Sequence, residues 1–179
     1  EGNAGGVTIT TGSLEVKNDA KISASTFAKG DAGGVTITTG SLEVKNGIID
    51  TVTFGKGDAG TVNINATETV VLDRENSETL TLVASSVQPG AEGNAGGVTI
   101  TTGSLEVKNG AGIDASTYGK GDAGTLNINA TETVVLDGEN SETLTLVTSS
   151  VQSGAEGNAG DVTITTGSLE VKNGAGIAA

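Results

Sequence analysis

The chain has no cysteine, histidine, methionine or tryptophan, a single proline and tyrosine, and two phenylalanines. Without cysteine there can be no disulfide framework and no thiolate metal site. Without histidine, the commonest general base and transition-metal ligand is missing. Lys+Arg number 9 against 22 Asp+Glu, a net charge of −13, which argues against nucleic acid or an anionic membrane as partner. No apolar run approaches the roughly 18 residues of a membrane span, so no membrane insertion is expected. The sequence shows neither an initiating methionine nor a secretory leader pattern, and both of its ends correspond to positions inside a repeat. It reads as a segment of something longer.

What is present is repetition. Gly93 to Asn109, GNAGGVTITTGSLEVKN, stands word for word at Gly2 to Asn18, with near-copies from Gly30 and Gly157. A diverged unit, GDAGTVNINATETVVLD, starts at Gly57 and returns at Gly121 with Leu126 for Val62. Unit starts at 2, 30, 57, 93, 121 and 157 give spacings of 28, 27, 36, 28 and 36. Four units are of one type (A) and two of a longer type (B). Disorder is the compositional rival, given 29 glycines and the high charge. Sustained period-two alternation of Val and Ile with Thr and Asn argues against it.

Each A unit contains three short strands. In the first, Val7 and Ile9, then Leu14 and Val16, then Ile22 and Ala24 share an inward face, with corners at Thr11-Gly12-Ser13 and Asn18-Asp19. In the B units we expect Val70 and Leu72 inward on the second strand. The third strand is expected at Thr79-Leu80-Thr81-Leu82, after the acidic loop from Asp73 to Glu78. Three strands per turn predict an all-β fold: a parallel β-helix (β-solenoid) of about six rungs, near 2–29, 30–56, 57–92, 93–120, 121–156 and 157–179. The whole forms one repeat array, each rung about 4.8 Å above the last. A propeller would need four antiparallel strands per blade, and an α-solenoid a 3.6-residue period.

The words GNAGGVTITTGSLEVKNGAGIDASTYGKGDAG at Gly93 to Gly124, with the NINATETVVLD of the B units, resemble the repeats of cyanobacterial filamentous-haemagglutinin-like exoproteins of two-partner secretion systems. The resemblance covers essentially the whole chain. It implies a right-handed parallel β-helix and a secreted, extracellular or cell-surface fibre used in adhesion, biofilm or matrix. The amino-terminal secretion domain of such proteins is not among these residues, so neither export nor receptor specificity is carried over to any residue.

Each candidate set has a structural and a functional reading. Asp31, Asp58 and Asp122 lie in Lys-Gly-Asp turns that suggest calcium. The tandem nonapeptide of calcium-binding β-helices is absent, and Asn3, Asn94 and Asn158 alternate with these aspartates. A polar turn residue is therefore favoured and calcium is the weaker alternative. No other cofactor is expected. Thr8, Thr10, Thr36, Thr38, Thr99, Thr101, Thr163 and Thr165, interrupted by Asn63, Asn65, Asn127 and Asn129, predict an outward ladder resembling ice-binding arrays, though threonine is also simply a good strand residue. Asn18, Asn46, Asn109 and Asn173, with Asp73 and Asp137 in the B units, predict a corner ladder. Phe27, Phe54 and Tyr118 read as corner packing.

Glu15 over Glu43 and Lys17 over Lys45 are unfavourable pairs unless diagonal contacts relieve them, so A-B alternation is the better arrangement. Asn65-Ala66-Thr67 and Asn129-Ala130-Thr131 match the N-glycosylation pattern weakly. A glycosidase needs a singular, differently tuned carboxylate pair. Here nearly every acid is a repeated copy, and Asp19, Asp50, Asp114 and Asp161 are scattered, so no catalytic residue is expected. The expectation is an adhesive structural fibre; an ice- or surface-binding module and a polysaccharide-active enzyme are the alternatives. The expected partner is the chain itself, by end-to-end axial β-pairing, with carbohydrate or cell-surface receptors as further candidates.

Overall fold

A computed structural model describes residues 2–75, 78–139 and 141–179. The middle of the acidic loop, Asn76 and Ser77, lies outside the described residues, as do Glu1 and Asn140. The chain is all-β, with fourteen strands among the described residues, every pairing parallel. Rung 1 carries β1 (Val7–Thr10), β2 (Ser13–Lys17) and β3 (Lys21–Ser23), and rung 2 carries β4 (Val35–Lys45) and β5 (Ile48–Thr53). Rung 3 has β6 (Val62–Asp73) and β7 (Leu82–Val87), and rung 4 has β8 (Val98–Thr102), β9 (Ser104–Lys108) and β10 (Gly112–Asp114). β11 (Leu126–Asp137) and β12 (Leu146–Thr148) form rung 5, and β13 (Val162–Lys172) and β14 (Gly176–Ala178) form rung 6.

Three walls result, but two of them belong to one sheet. In rungs 2, 3, 5 and 6 a single strand runs through the expected Thr-Gly-Ser corner, giving an eight-stranded sheet folded along that line and a six-stranded third wall. In rungs 1 and 4 the strand breaks there instead, at Thr11-Gly12 and at Gly103. The corner threonines of the A rungs donate to the serine carbonyl two residues on in both cases, Thr11 and Thr102 at the breaks and Thr39 and Thr166 in the continuous strands, so this bond holds the bend without deciding continuity. In the B rungs alanine replaces that threonine, and one extra residue makes a bulge where Thr39 pairs with Ala66 and Ser41 with Thr69.

The core is a set of vertical columns. Val35, Val62, Val98 and Leu126 stack in register, as do Ile37, Ile64, Ile100 and Ile128, and all are buried. Val70 and Leu72 occupy the expected inward positions over Leu42 and Val44. Ile22, Ile49, Val83, Ile113 and Val147 complete the third wall. A buried Ile or Leu contributes roughly 1.5–3 kcal/mol, so repetition of a five-column rung suffices to hold a thin rod.

The third strand of the B rungs differs from expectation. It begins at Leu82, not Thr79, with Val83 inward, and Leu80 and Leu144 are exposed. Buried threonines set this phase. The Thr81 hydroxyl donates to the Asp73 carbonyl at 3.1 Å and accepts the Asn46 amide at 2.8 Å. Thr145 makes the same pair with the Asp137 carbonyl and the Gly110 amide. Each hydroxyl clamps the base of its loop to the neighbouring corner, leaving the preceding leucine outside.

Candidate functional site: surface ladders and a third-wall groove

The expected Thr/Asn wall is in register throughout. Thr8, Thr36, Asn63, Thr99, Asn127 and Thr163 form one column. Thr10, Thr38, Asn65, Thr101, Asn129 and Thr165 form the next. Both face outward, and between them runs a shallow trough of about 170 Å³ over Ile37 and Ile64.

At the glycine corner, Asn3, Asp31, Asp58, Asn94, Asp122 and Asn158 form a continuous chain. The Oδ1 of each accepts the backbone N–H of the next rung's counterpart, at 2.7 to 3.0 Å. Asn and Asp are interchangeable here because only an acceptor oxygen is required, which supports the turn role of Asp31, Asp58 and Asp122. Among the described residues, no group of three or more acidic side chains is gathered to hold a metal.

At the second corner, Asn18, Asn46, Asn109 and Asn173 have φ of 51° to 56°, the left-handed region asparagine tolerates. Asp73 and Asp137 are not in that column, contrary to expectation: the extra residue of the B corner brings them into register with Lys45, Lys108 and Lys172, from where they act as acceptors. Asn109 and Asn173 each donate Nδ2 to the Oδ1 of the aspartate one rung before, at 2.8 Å. The Asn173 bond leads the interactions that hold the Asp137 carboxyl below its ordinary range.

Glu15 does pair with Glu43 and Lys17 with Lys45. Relief is diagonal: Lys17 reaches Glu43 at 2.6 Å, and Lys45 reaches Glu75 at 2.9 Å. Its hydrogen bond from Lys17 pulls the Glu43 carboxyl down, and the same bond raises Lys17. Phe27 and Phe54 stack with ring centres 4.6 Å apart and planes 7° apart. Tyr118 stands apart, its place in the stack separated from Phe54 by Gln88.

Two residues that look scattered in the sequence share one column. Asp50 and Asp114 both pair with Ala84 on the third wall, and both are buried. Asp50 is held by Lys21 at 2.7 Å. Asp114 accepts the Ser116 amide at 3.0 Å and the Tyr118 hydroxyl at 3.1 Å. Burial pushes the Asp114 carboxyl up, the Ser116 and Tyr118 hydrogen bonds offsetting part of the rise. Burial, then the Asp114 charge and hydrogen bond, push Tyr118 up to about 12. The sequence signal was an alignment of the third strands, Ile49-Asp50 on Ile113-Asp114, obscured by the residue lost at Asn46-Gly47.

Beside this pair lies a groove of about 360 Å³ lined by Leu80, Leu82, Gly112, Leu144 and Leu146 as well as Asp114 and Tyr118. Comparison with protein-family models, with curated proteins and with solved structures finds no match. The surface combines long polar ladders repeated on two walls with an apolar groove that ends on a buried carboxylate.

Proposed function

We propose that the chain is a segment of a secreted, extracellular structural fibre of the adhesive kind, with no catalytic role, whose working surface is the repeated wall. One observation carries this reading: the exposed side chains of the first two walls occur as columns in register over six rungs. A surface of that kind presents the same contact many times over, which suits multivalent attachment, where avidity exceeds the strength of any one contact. The resemblance to filamentous-haemagglutinin-like repeats supports the same reading.

Self-association along the axis belongs to the proposal. In rung 6 the inward Leu169, Val171 and Ile177 are each 40–45% exposed, so a further rung pairing there would cover them. Binding of the purified segment to polysaccharide-coated or cell surfaces, lost when Thr99 and Thr101 are replaced by lysine, would support the adhesive reading. Equal adhesion by that variant would count against the Thr wall as its surface.

A second reading rests on the same wall: the two exposed columns and their trough suit ordered water or ice. Thermal hysteresis by the segment, lost with Thr99→Leu plus Thr101→Leu, would favour it. Turnover of uronate or glucan polymers would overturn the non-catalytic proposal.

A further inference from the structure

The outward column of the third wall runs Lys21, Ile48, Leu82, Gly112, Leu146 and Gly176. At Gly112 the side chain vanishes between two leucines, and the loops of the flanking B rungs bring Leu80 and Leu144 over the gap. A Cβ on Gly112 would already touch Leu82 Cδ1 at 3.3 Å. The floor of the groove is open because this residue is glycine.

The same wall, two rungs earlier, holds an internal template for what fills such a space. Asp50 lies in the same column as Asp114 and is similarly buried. Its Oδ2 receives the Lys21 ammonium at 2.7 Å. Lys21 sits one rung before Asp50, in the outward column, pairing with Ile48. For Asp114 the equivalent position is Leu82, which carries no charge. Asp114 keeps only the neutral Ser116 amide and Tyr118 hydroxyl, and among the described residues no Lys or Arg pairs with it. An ionised carboxyl in that setting is desolvated without an opposite charge.

We infer that the groove binds the ammonium end of an aliphatic amine, and that its occupant is a lysine side chain presented by a partner polypeptide. The methylene stem lies over Gly112 between Leu82 and Leu146, and the head reaches Asp114 as Lys21 reaches Asp50. Lysine is favoured over arginine by the internal template: Lys21 meets Asp50 as a point charge that needs one free acceptor site, where a bidentate fork needs one on each oxygen and both oxygens of Asp114 already accept a bond. The net charge of −13 draws basic partners, and the half-exposed Leu80 and Leu144 leave the rim open for a backbone to pass over. This inference stands whether or not the rods assemble into fibres.

The test is an amide-shift titration of the full ¹⁵N-labelled chain, following Gly112, Asp114 and Tyr118. Three probes are compared: Nα-acetyl-lysine methylamide, its uncharged norleucine analogue, and butylamine. The expected result is saturable binding of the lysine probe and butylamine, no saturable binding of norleucine, and a roughly ten- to hundredfold loss in Asp114→Asn. Leu82→Lys supplies the ammonium internally, as Lys21 does, and should abolish binding of the lysine probe while the fold persists. That variant keeps Asp114 and decides the matter should Asp114→Asn not fold. Equal binding of norleucine, or undiminished binding in Leu82→Lys, would overturn the proposal. Binding of butylamine without the lysine probe would overturn the polypeptide occupant.

Discussion

Tyr118 is the only tyrosine and the chain has no tryptophan, so the tyrosinate absorbance reads one group. Its folded value, about 12, lies above the ordinary value near 10 because burial and then the Asp114 charge oppose ionisation. The sign follows: the folded state holds this proton more tightly, so the contribution is whole below the unfolded pKa and lost as pH rises from about 10 towards 12. Alkaline titration should give a raised midpoint in the parent. In Asp114→Asn it should be lower but still above the free value, since burial remains; an unchanged midpoint would break the link between the two residues. Glycine gives a second residue-scale test. A Cβ on Gly124 would collide with the Gly96 carbonyl one rung before, whereas at Gly5 it meets nothing within 4 Å. Gly124→Ala should lower the denaturation midpoint strongly and Gly5→Ala hardly at all. Residues whose role follows period two, such as Val7 and Ile9, were legible from sequence. Asp50 and Asp114 were not, because burial of an outward position depends on what neighbouring rungs lay over it.

At the scale of the element, the third strand of the B rungs is where pattern reading failed. Thr79-Leu80-Thr81-Leu82 has the cleaner alternation, whereas Leu82-Val83-Ala84 is a continuous apolar run; the phase is set by the Thr81 hydroxyl, a long-range contact with the corner at Asn46. Its equivalent, Thr145, is wholly buried and satisfies the Gly110 amide while donating to Asp137. Thr145→Val would leave the buried Gly110 N–H unpaired, while the Asp137 carbonyl keeps the Asn109 amide, and should cost about 1–3 kcal/mol by denaturant melting. Thr145→Ser, which keeps the hydroxyl, should restore most of it. Equal loss in both variants would show that the methyl packing, not the hydroxyl, holds the loop. The Thr-Gly-Ser corner falls where the spacing places it, as a break between strands in rungs 1 and 4 and as a bend within one strand in rungs 2 and 6. The same threonine bond occurs in both forms, and spacing alone does not distinguish them.

For the molecule as a whole, rung number and stacking order were legible because self-similarity at a fixed period leaves little else to satisfy the hydrophobic columns. Charge works at this scale too. Lys17 bridging to Glu43 offsets the like-charge columns of the two adjacent A rungs. Glu43, held low by that bond, contributes stability above its unfolded pKa that is lost as pH falls through its folded value. That contribution is small for so exposed a pair. Lowering the pH should therefore loosen the two contacts whose carboxyls are held low, Glu43 between β2 and β4 and Asp137 between β11 and β13, with amide exchange rising first there. Uniform exchange along the rod would contradict it.

The central claim is that the rod surface works as a repeated array in a fibre built by axial pairing, and X-ray diffraction combined with electron microscopy of the concentrated segment tests it most directly. Filaments whose strand spacing of about 4.8 Å runs along the fibre axis are expected. Dispersed particles of single-chain length at high concentration, with no axial reflection at that spacing, would contradict it.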